Sequence, residues 1–512
     1  MKNSYRIVLI LLSTSALAAF ALAGAGVHAA KARVPAGPEP MTVVAGRPFE
    51  PVPASGPSKV FVVLCPEETE PATFTVRCGR TLKNVRVAAV GDFVGPGRID
   101  RVNVEVSKVE GENLVNAVSE SSGAVFAQAD IGAEPTQFWV NVTVPRRTPP
   151  GLYKGVIGFY YQNKRSGVVP MQVKVLPLRL LGSSKQYVVY TSYGPTGLGN
   201  TNLEGEAYSS FLSAFGKLGF GAVSVNCRRS NYGSAIGAYG SSGLSGPLPV
   251  LMYAFGETRK SHSANPVVVE PEEPKTMIAS WSATRALACP TIDEVRSVQA
   301  LSKSNGLNST LFFCADDPNS EAAIEMAKEQ AKVFRRARVR AVARISDEAA
   351  LQQLEDTLDG IDYHVSMPYV QSLIDGRSKR DSKKWEWYWW DARRSSVDNR
   401  LYAGVALWKS GLDGCMPAWM PKEGCGPKAG INSMLGEALR EGIDDTRYIT
   451  TYMKALRELK DLKREKDKDY IAATQAYLAS FMSLPIDRIT PSKLSEVRAK
   501  MAEYSMKLAA RM

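Results

Sequence analysis

Two adjacent carboxylates, Asp316 and Asp317, are the residues of this chain best suited to chemistry. They end the apolar run Leu311-Phe312-Phe313-Cys314-Ala315 and stand just ahead of Pro318. Carboxylates held side by side perturb each other's ionisation, and such a pair can do acid/base work. A helical pattern follows, with Ile324, Ala327, Ala331 and Phe334 at spacings of three and four. Strand, acidic turn and helix is therefore the local reading. In a barrel of alternating strands and helices, the C-terminal end of a strand is where catalytic groups sit. The same residues admit a second reading, in which Asp317 caps the helix and Pro318 takes its first position.

The second candidate is aromatic. Trp385, Trp387, Tyr388, Trp389 and Trp390 fall within six residues, and Asp391 follows. On a strand, Trp387 and Trp389 face one way while Tyr388 and Trp390 face the other. One set is core; the other lines the barrel mouth, where flat rings suit the C–H faces of a sugar. We expect Tyr388, Trp390 and Asp391 in the cleft, joined by Trp419 at the end of a later strand. Trp408 lies in a helical pattern and reads as structural. His364 reads as a wall residue in a strand and His262 as part of a polar loop, so no Ser/His/Asp arrangement is supported. The Gly-rich stretch 237–246 lacks phosphate-loop spacing and reads as a loop. No CxxC and no zinc-type spacing occur, so neither a metal site nor a cofactor is expected.

The elements that must position these groups alternate. Strands are predicted at 187–190, 222–225, 249–253, 309–314, 339–343, 363–367, 385–390 and 414–419. Helices are predicted at 204–217, 291–304, 320–336, 347–357 and 398–410. Strand and helix alternate about eight times, which a (β/α)8 TIM-like barrel closes naturally. Ahead of them, short β-branched runs such as 60–64, 73–76, 85–87, 102–106 and 138–144 suggest a β-sandwich. Leu494, Val497, Met501, Tyr504 and Leu508 form an apolar stripe at the far end, begun by Thr490-Pro491. The fold class is thus multidomain α and β: signal peptide 1–29, linker 30–57, β-sandwich 58–181, barrel 182–434 and helical C-terminal region 435–512.

The 512 residues carry a formal charge of +12. Lys2 and Arg6 precede an apolar stretch over 7–25, and Val27-His28-Ala29 fits a cleavage site ahead of Ala30. This reads as an export signal, for a bacterial periplasmic or extracellular protein. No later stretch has the apolar length of a membrane span. Removal of 1–29 takes away Lys2 and Arg6 and no acid, leaving +10. The basic excess is interleaved with acids, as over 460–469, which suits a solvated helix rather than a nucleic-acid patch. Seven cysteines are present; Cys65 with Cys78 and Cys415 with Cys425 are the sequence-near disulfide candidates in an oxidising compartment.

Four ordered landmarks resemble the glycoside hydrolase family 123 group and its relatives of unknown function. They are Phe138-Trp139-Val140 with Pro149-Pro150-Gly151-Leu152-Tyr153-Lys154-Gly155; Asp316-Asp317-Pro318; Asn399-Arg400, Trp408, Gly411-Leu412-Asp413-Gly414 and Trp419; and 437–445 with Tyr448. The resemblance spans most of 58–450. It implies a glycosidase acting on N-acetylhexosamine-containing glycans, in which the substrate's own 2-acetamido group attacks the anomeric carbon. Asp316 matches the carboxylate that orients that group. Asp317 matches the general acid/base, which is Glu in the family and one methylene longer. That departure keeps a second class open, a non-catalytic carbohydrate-binding or cell-envelope structural protein on a degenerate barrel.

Overall fold

The computed structural model describes residues 41–120, 122–191, 205–225, 232–244, 246–251, 289–307, 310–380, 383–419 and 431–511. The expected signal 1–29 lies outside these residues, as do Cys227, His262 and Cys425.

Period-two alternation builds the N-terminal region. In Val60–Leu64 the residues Val60, Val62 and Leu64 are buried while Phe61 and Val63 are exposed. Such strands form two mostly antiparallel sheets. One orders Thr42–Gly46, Thr69–Arg77, Thr136–Thr143, Val104–Glu110 and Asn113–Val115. The other is centred on the long hairpin Gly151–Tyr161 and Lys164–Val175. Phe74 and Phe138 from the first sheet meet Phe159 from the second, with ring centroids 6.2 and 6.3 Å apart, so one apolar core lies between the sheets. The stretch read as a linker contributes to it: Thr42–Gly46 pairs antiparallel with Thr69–Arg77. Its β-branched run Thr42-Val43-Val44 has the propensity of an edge strand, which the Pro and Gly around it mask.

Eight parallel strands follow: β1 (Gln186–Val189), β2 (Ala222–Val223), β3 (Leu248–Leu251), β4 (Thr310–Asp316), β5 (Ala341–Ile345), β6 (Gly360–His364), β7 (Trp385–Trp389) and β8 (Gly414–Cys415). The hydrogen-bonded order is β2-β1-β8-β7-β6-β5-β4-β3, and a parallel bridge from Val225 to Val250 joins the two edges. Each strand therefore neighbours its sequence neighbours around a ring. Parallel strands need crossovers, and helices supply them. Among the described residues each of the seven connections between successive strands carries a helical segment, from Gly205–Lys217 to the segment 396–410.

One of these helices, Tyr232–Ser242, falls where the sequence was read as a Gly/Ser loop. Tyr232, Ala235, Ile236 and Tyr239 recur at helical spacing and are all buried. Gly233, Gly237 and Gly240 sit where an added Cβ would meet only open space. The apolar face decided the conformation against the low propensity of glycine.

Side chains on the strands divide into two layers. Val188, Tyr190, Leu311, Phe313, Val342, Trp387, Trp389, Met416 and Ala418 cluster inside the ring. Phe312, Ala341, Ala343, Ile361, Tyr363, Tyr388 and Trp390 join the larger core under the helices. Gly414 makes room for the inner layer: a Cβ there would lie 2.3 Å from the Gln186 carbonyl and 2.9 Å from Trp387 Cδ1.

The C-terminal helices Met434–Asp461, Lys468–Met482 and Pro491–Ala509 tie the sandwich to the barrel. Gly442 lies against the segment 396–410, where a Cβ would come within 2.6 Å of the Arg400 carbonyl. Around this crossing is a buried ionic network. Arg400 bonds Asp445; Arg440 bonds Glu437 and the Thr69 carbonyl. Arg498 of the last helix bonds Asp445 and the sandwich residue Glu70. The landmark at 437–445 is thus mostly a docking element. Cys65 and Cys78 are buried and no disulfide joins them; the Cys65 sulfur is 3.4 Å from Tyr448 Oη. No helix of the described residues is long and apolar enough to cross a membrane.

Candidate active site

The β4 strand carries an irregularity that decides the site. Phe312 pairs with Ala341 and Phe313 with Val342, but Ala343 is met by Ala315 and Arg344 by Asp316. One extra residue, Cys314, is therefore bulged. Leu311 and Phe313 point inward, whereas Cys314 and Ala315 both belong to the outer layer. Unbroken alternation would send position 316 outward with Phe312 and Cys314. The bulge restores Asp316 to the lumen, at the C-terminal rim.

There, Asp316 is held from both sides. Tyr190, just past the end of β1, donates its hydroxyl to Asp316 Oδ2 at 2.5 Å. Arg344 of β5 places Nη1 3.7 Å from Oδ1. Arg344 is itself 3% exposed. Its Nε donates to Asp362 Oδ2 of β6 at 3.1 Å. Its guanidinium lies 3.7 Å from the Tyr190 ring centroid and 4.7 Å from that of Trp389. Burial pushes the Asp362 carboxyl up to about 7, with Arg344 opposing. Asp316 keeps 28% of its side chain exposed, so the group so held still faces solvent.

Asp317 is placed differently. Its backbone is left-handed, with φ +53°, a conformation Asp tolerates better than most residues. Its amide donates to the Arg344 carbonyl at 2.9 Å. Its Oδ1 accepts from the amide and hydroxyl of Ser346 at 2.8 and 2.5 Å. Asp317 does not cap the following helix. Glu321–Ala337 is capped by Ser320, whose side chain accepts from the Ala323 amide. The capping alternative is thereby excluded, and both carboxylates sit on the rim.

His364 ends β6 on the same face as Asp362. Its ring stands edge-on to Trp389, centroids 4.6 Å apart, and its Nδ1 accepts from the Ser366 amide at 3.3 Å. Burial lowers the imidazole below its usual range, as do Arg394 and Arg344, against the pull of Asp317.

The aromatic cluster is out of phase with expectation. Trp387 and Trp389 face the lumen; Tyr388 and Trp390 lie outside it, both fully buried. Tyr388 donates to the Tyr402 carbonyl and Trp390 to Asn399 Oδ1, both in the segment 396–410. Tyr388 and Trp390 are therefore packing residues, not cleft residues. The outer face of β7 needs large groups because a helix covers it, and this sets the phase. Trp419 is also a packing residue, 3% exposed and edge-on to Phe215 at 6.0 Å. Asp391 follows Trp389 on the inner phase. It bonds Arg393 at 2.9 and 2.8 Å. Burial works to raise its pKa, and the Arg393 hydrogen bonds prevail and hold it low.

Tyr190, Arg344, Asp362 and Trp389 were missed by sequence reasoning. A signal existed for two of them: Arg344 and Asp362 are lone charges inside short apolar strands, where a charge is buried only with a partner. A separate cavity of about 390 Å³ opens between the sandwich and the other end of the barrel, beside Lys185, Gln186, Arg440 and Arg447. Its arginines are already paired, Arg440 with Glu437 and Arg447 with Asp444.

No protein-family model and no curated protein matches this chain. Solved structures do. A family 123 glycoside hydrolase from Clostridium perfringens, described as acting in glycolipid glycan hydrolysis, aligns with 92% of this chain and 99% of its own, at a TM-score of 0.59 and 13% identity. A dihydrodipicolinate synthase from Rhodopseudomonas palustris covers 65% of this chain and all of its own, at 0.28 and 10%. A Bacteroides ovatus family 5 xyloglucanase covers 81% and 91%, at 0.23 and 8%. Only the first score supports a shared fold, and it does so along nearly the whole chain: sandwich, barrel and C-terminal helices.

Proposed function

We propose that this chain, which shares its fold with a family 123 glycoside hydrolase, is an exported glycosidase acting on 2-acetamido hexosides by substrate assistance. The observation that carries the reading is Asp316, partly exposed at the barrel rim while one oxygen is held by Tyr190 and the other approached by Arg344. A carboxylate so fixed is suited to accept the N–H of a 2-acetamido group. That hydrogen bond turns the amide oxygen toward the anomeric carbon and raises its nucleophilicity. The amide oxygen then displaces the leaving group, forming a cyclic oxazolinium that water opens. Asp317 supplies the proton to the leaving oxygen and recovers one from the water. Its free Oδ2, with Oδ1 anchored on Ser346, is the oxygen for that role. Trp389, 6% exposed, edge-on to His364 and against Arg344, is the inner-layer ring that meets the sugar through its remaining accessible edge.

Aryl β-hexosides with and without the 2-acetamido group test this directly. Turnover confined to the acetamido series is the expected result; equal turnover of both sinks the assisted route. Glycan binding without turnover in either series favours the competing reading, a non-catalytic carbohydrate-binding protein, for which the shortened Asp317 is the specific observation. Export is tested by sequencing the mature N-terminus, which should begin at Ala30.

A further inference from the structure

We propose that Arg344 is the positioning residue of this site, acting through Asp316; the inference rests on the glycosidase reading above. Arg344, on β5, touches side chains from four other strands of the rim. Nε reaches Asp362 on β6 at 3.1 Å, Nη1 approaches Asp316 on β4 at 3.7 Å, and the planar face lies against Tyr190 from β1 and Trp389 from β7. Tyr190 in turn holds the other oxygen of Asp316. The guanidinium thus sets both the Asp316 carboxylate and the ring that bonds it.

A purely structural role does not account for the arrangement. A buried ion pair contributes little to stability compared with apolar residues of similar volume, because both charges lose their hydration. The rest of the inner layer shows that apolar filling was available, with Val342 on the same strand, Leu311 and Phe313 on β4 and Met416 just past β8. The pair is also incompletely satisfied: Arg344 Nη2 and Asp362 Oδ1 are buried without a hydrogen-bond partner. A charge kept in the lumen at that cost, against a rim carboxylate, is accounted for by what it does to the carboxylate. Lysine cannot replace it, since a point charge cannot span Asp362 and Asp316 while stacking on two rings.

The test is kinetic, on the full chain with para-nitrophenyl 2-acetamido-2-deoxy-β-hexosides. Arg344→Ala should lower kcat by about 10²-fold, the cost of misplacing an orienting group, with KM changed far less. Added guanidinium ion should recover part of kcat in Arg344→Ala and none in Arg344→Lys, and should not raise wild-type turnover. A structural role would not give that rescue. Because Arg344→Ala strands Asp362, the double variant Arg344→Gln/Asp362→Asn, which removes both charges, is measured beside it. A folded double variant with wild-type kcat overturns the assignment, as does full activity in Arg344→Lys. Unfolding of both the Ala and the double variant also overturns it, by making Arg344 a fold residue. If wild type cleaves the substrates and the variants match it, only this inference falls. If wild type cleaves none, the glycosidase reading falls and takes this with it.

Discussion

Tyr190 and Asp316 meet at 2.5 Å although 126 positions separate them, the one just past the first barrel strand and the other ending the fourth. Only ring closure brings them together. Tyr190→Phe removes the donor and keeps the ring against Arg344. A hydrogen bond to a charged group contributes about 1.5–3 kcal/mol, so kcat should fall by about 10- to 100-fold if that bond is kept in the transition state. Melting should move little. Unchanged kcat would show that Tyr190 does not orient Asp316.

Asp317 and Ser320 separate catalysis from capping. Asp317→Asn should lower turnover by about 10²–10⁴-fold, the range that general acid/base groups supply. Ser320→Ala, which removes the real cap, should cost about 1 kcal/mol in stability and leave turnover unchanged. Denaturation and initial rates on the two variants decide it. Full turnover in Asp317→Asn would remove Asp317 from the mechanism.

The phase of β7 is testable with two tryptophans. Trp390→Ala opens a cavity under the segment 396–410 and orphans Asn399, so it should destabilise by about 3–5 kcal/mol. Trp389→Ala should instead weaken glycan binding with a smaller loss of stability. Isothermal titration and melting on both would expose a reversed phase as a reversed pattern.

The docking network should make stability depend on pH. Burial and the nearby Asp444 push Glu68 up to about 7, with Arg498, the Cys65 amide and Tyr448 opposing. Burial and Glu441 likewise raise Glu70. In the unfolded chain a glutamate titrates near its ordinary 4.5. Between that value and about 7 the native state holds the extra proton, so Glu68's contribution is fully present below 4.5 and is lost as pH rises through 7. Glu68→Gln should therefore flatten the fall in Tm between mildly acidic and neutral pH. An unaltered slope would place the titration elsewhere.

What the sequence determined by itself is local and periodic. The alternation in Val60–Leu64, the stripe from Ile324 to Phe334, and the strand ending at Asp316 are each set by which residues recur at two or at 3.6. Their order was enough to expect a sandwich, a barrel and helices, and to put Asp316 and Asp317 at a strand end. Tertiary structure decided which way side chains face. The phase of β7 depends on the helix that packs over Tyr388 and Trp390, and a strand rich in aromatics on both faces carries no internal sign of its phase. Asp316 reaches the lumen because of a bulge at Cys314, and a register shift between two strands is a property of the pair. Tyr190, Arg344 and Asp362 become one site only when parallel strands close, because hydrogen bonds and ion pairs act over a few ångströms of space whatever the separation along the chain.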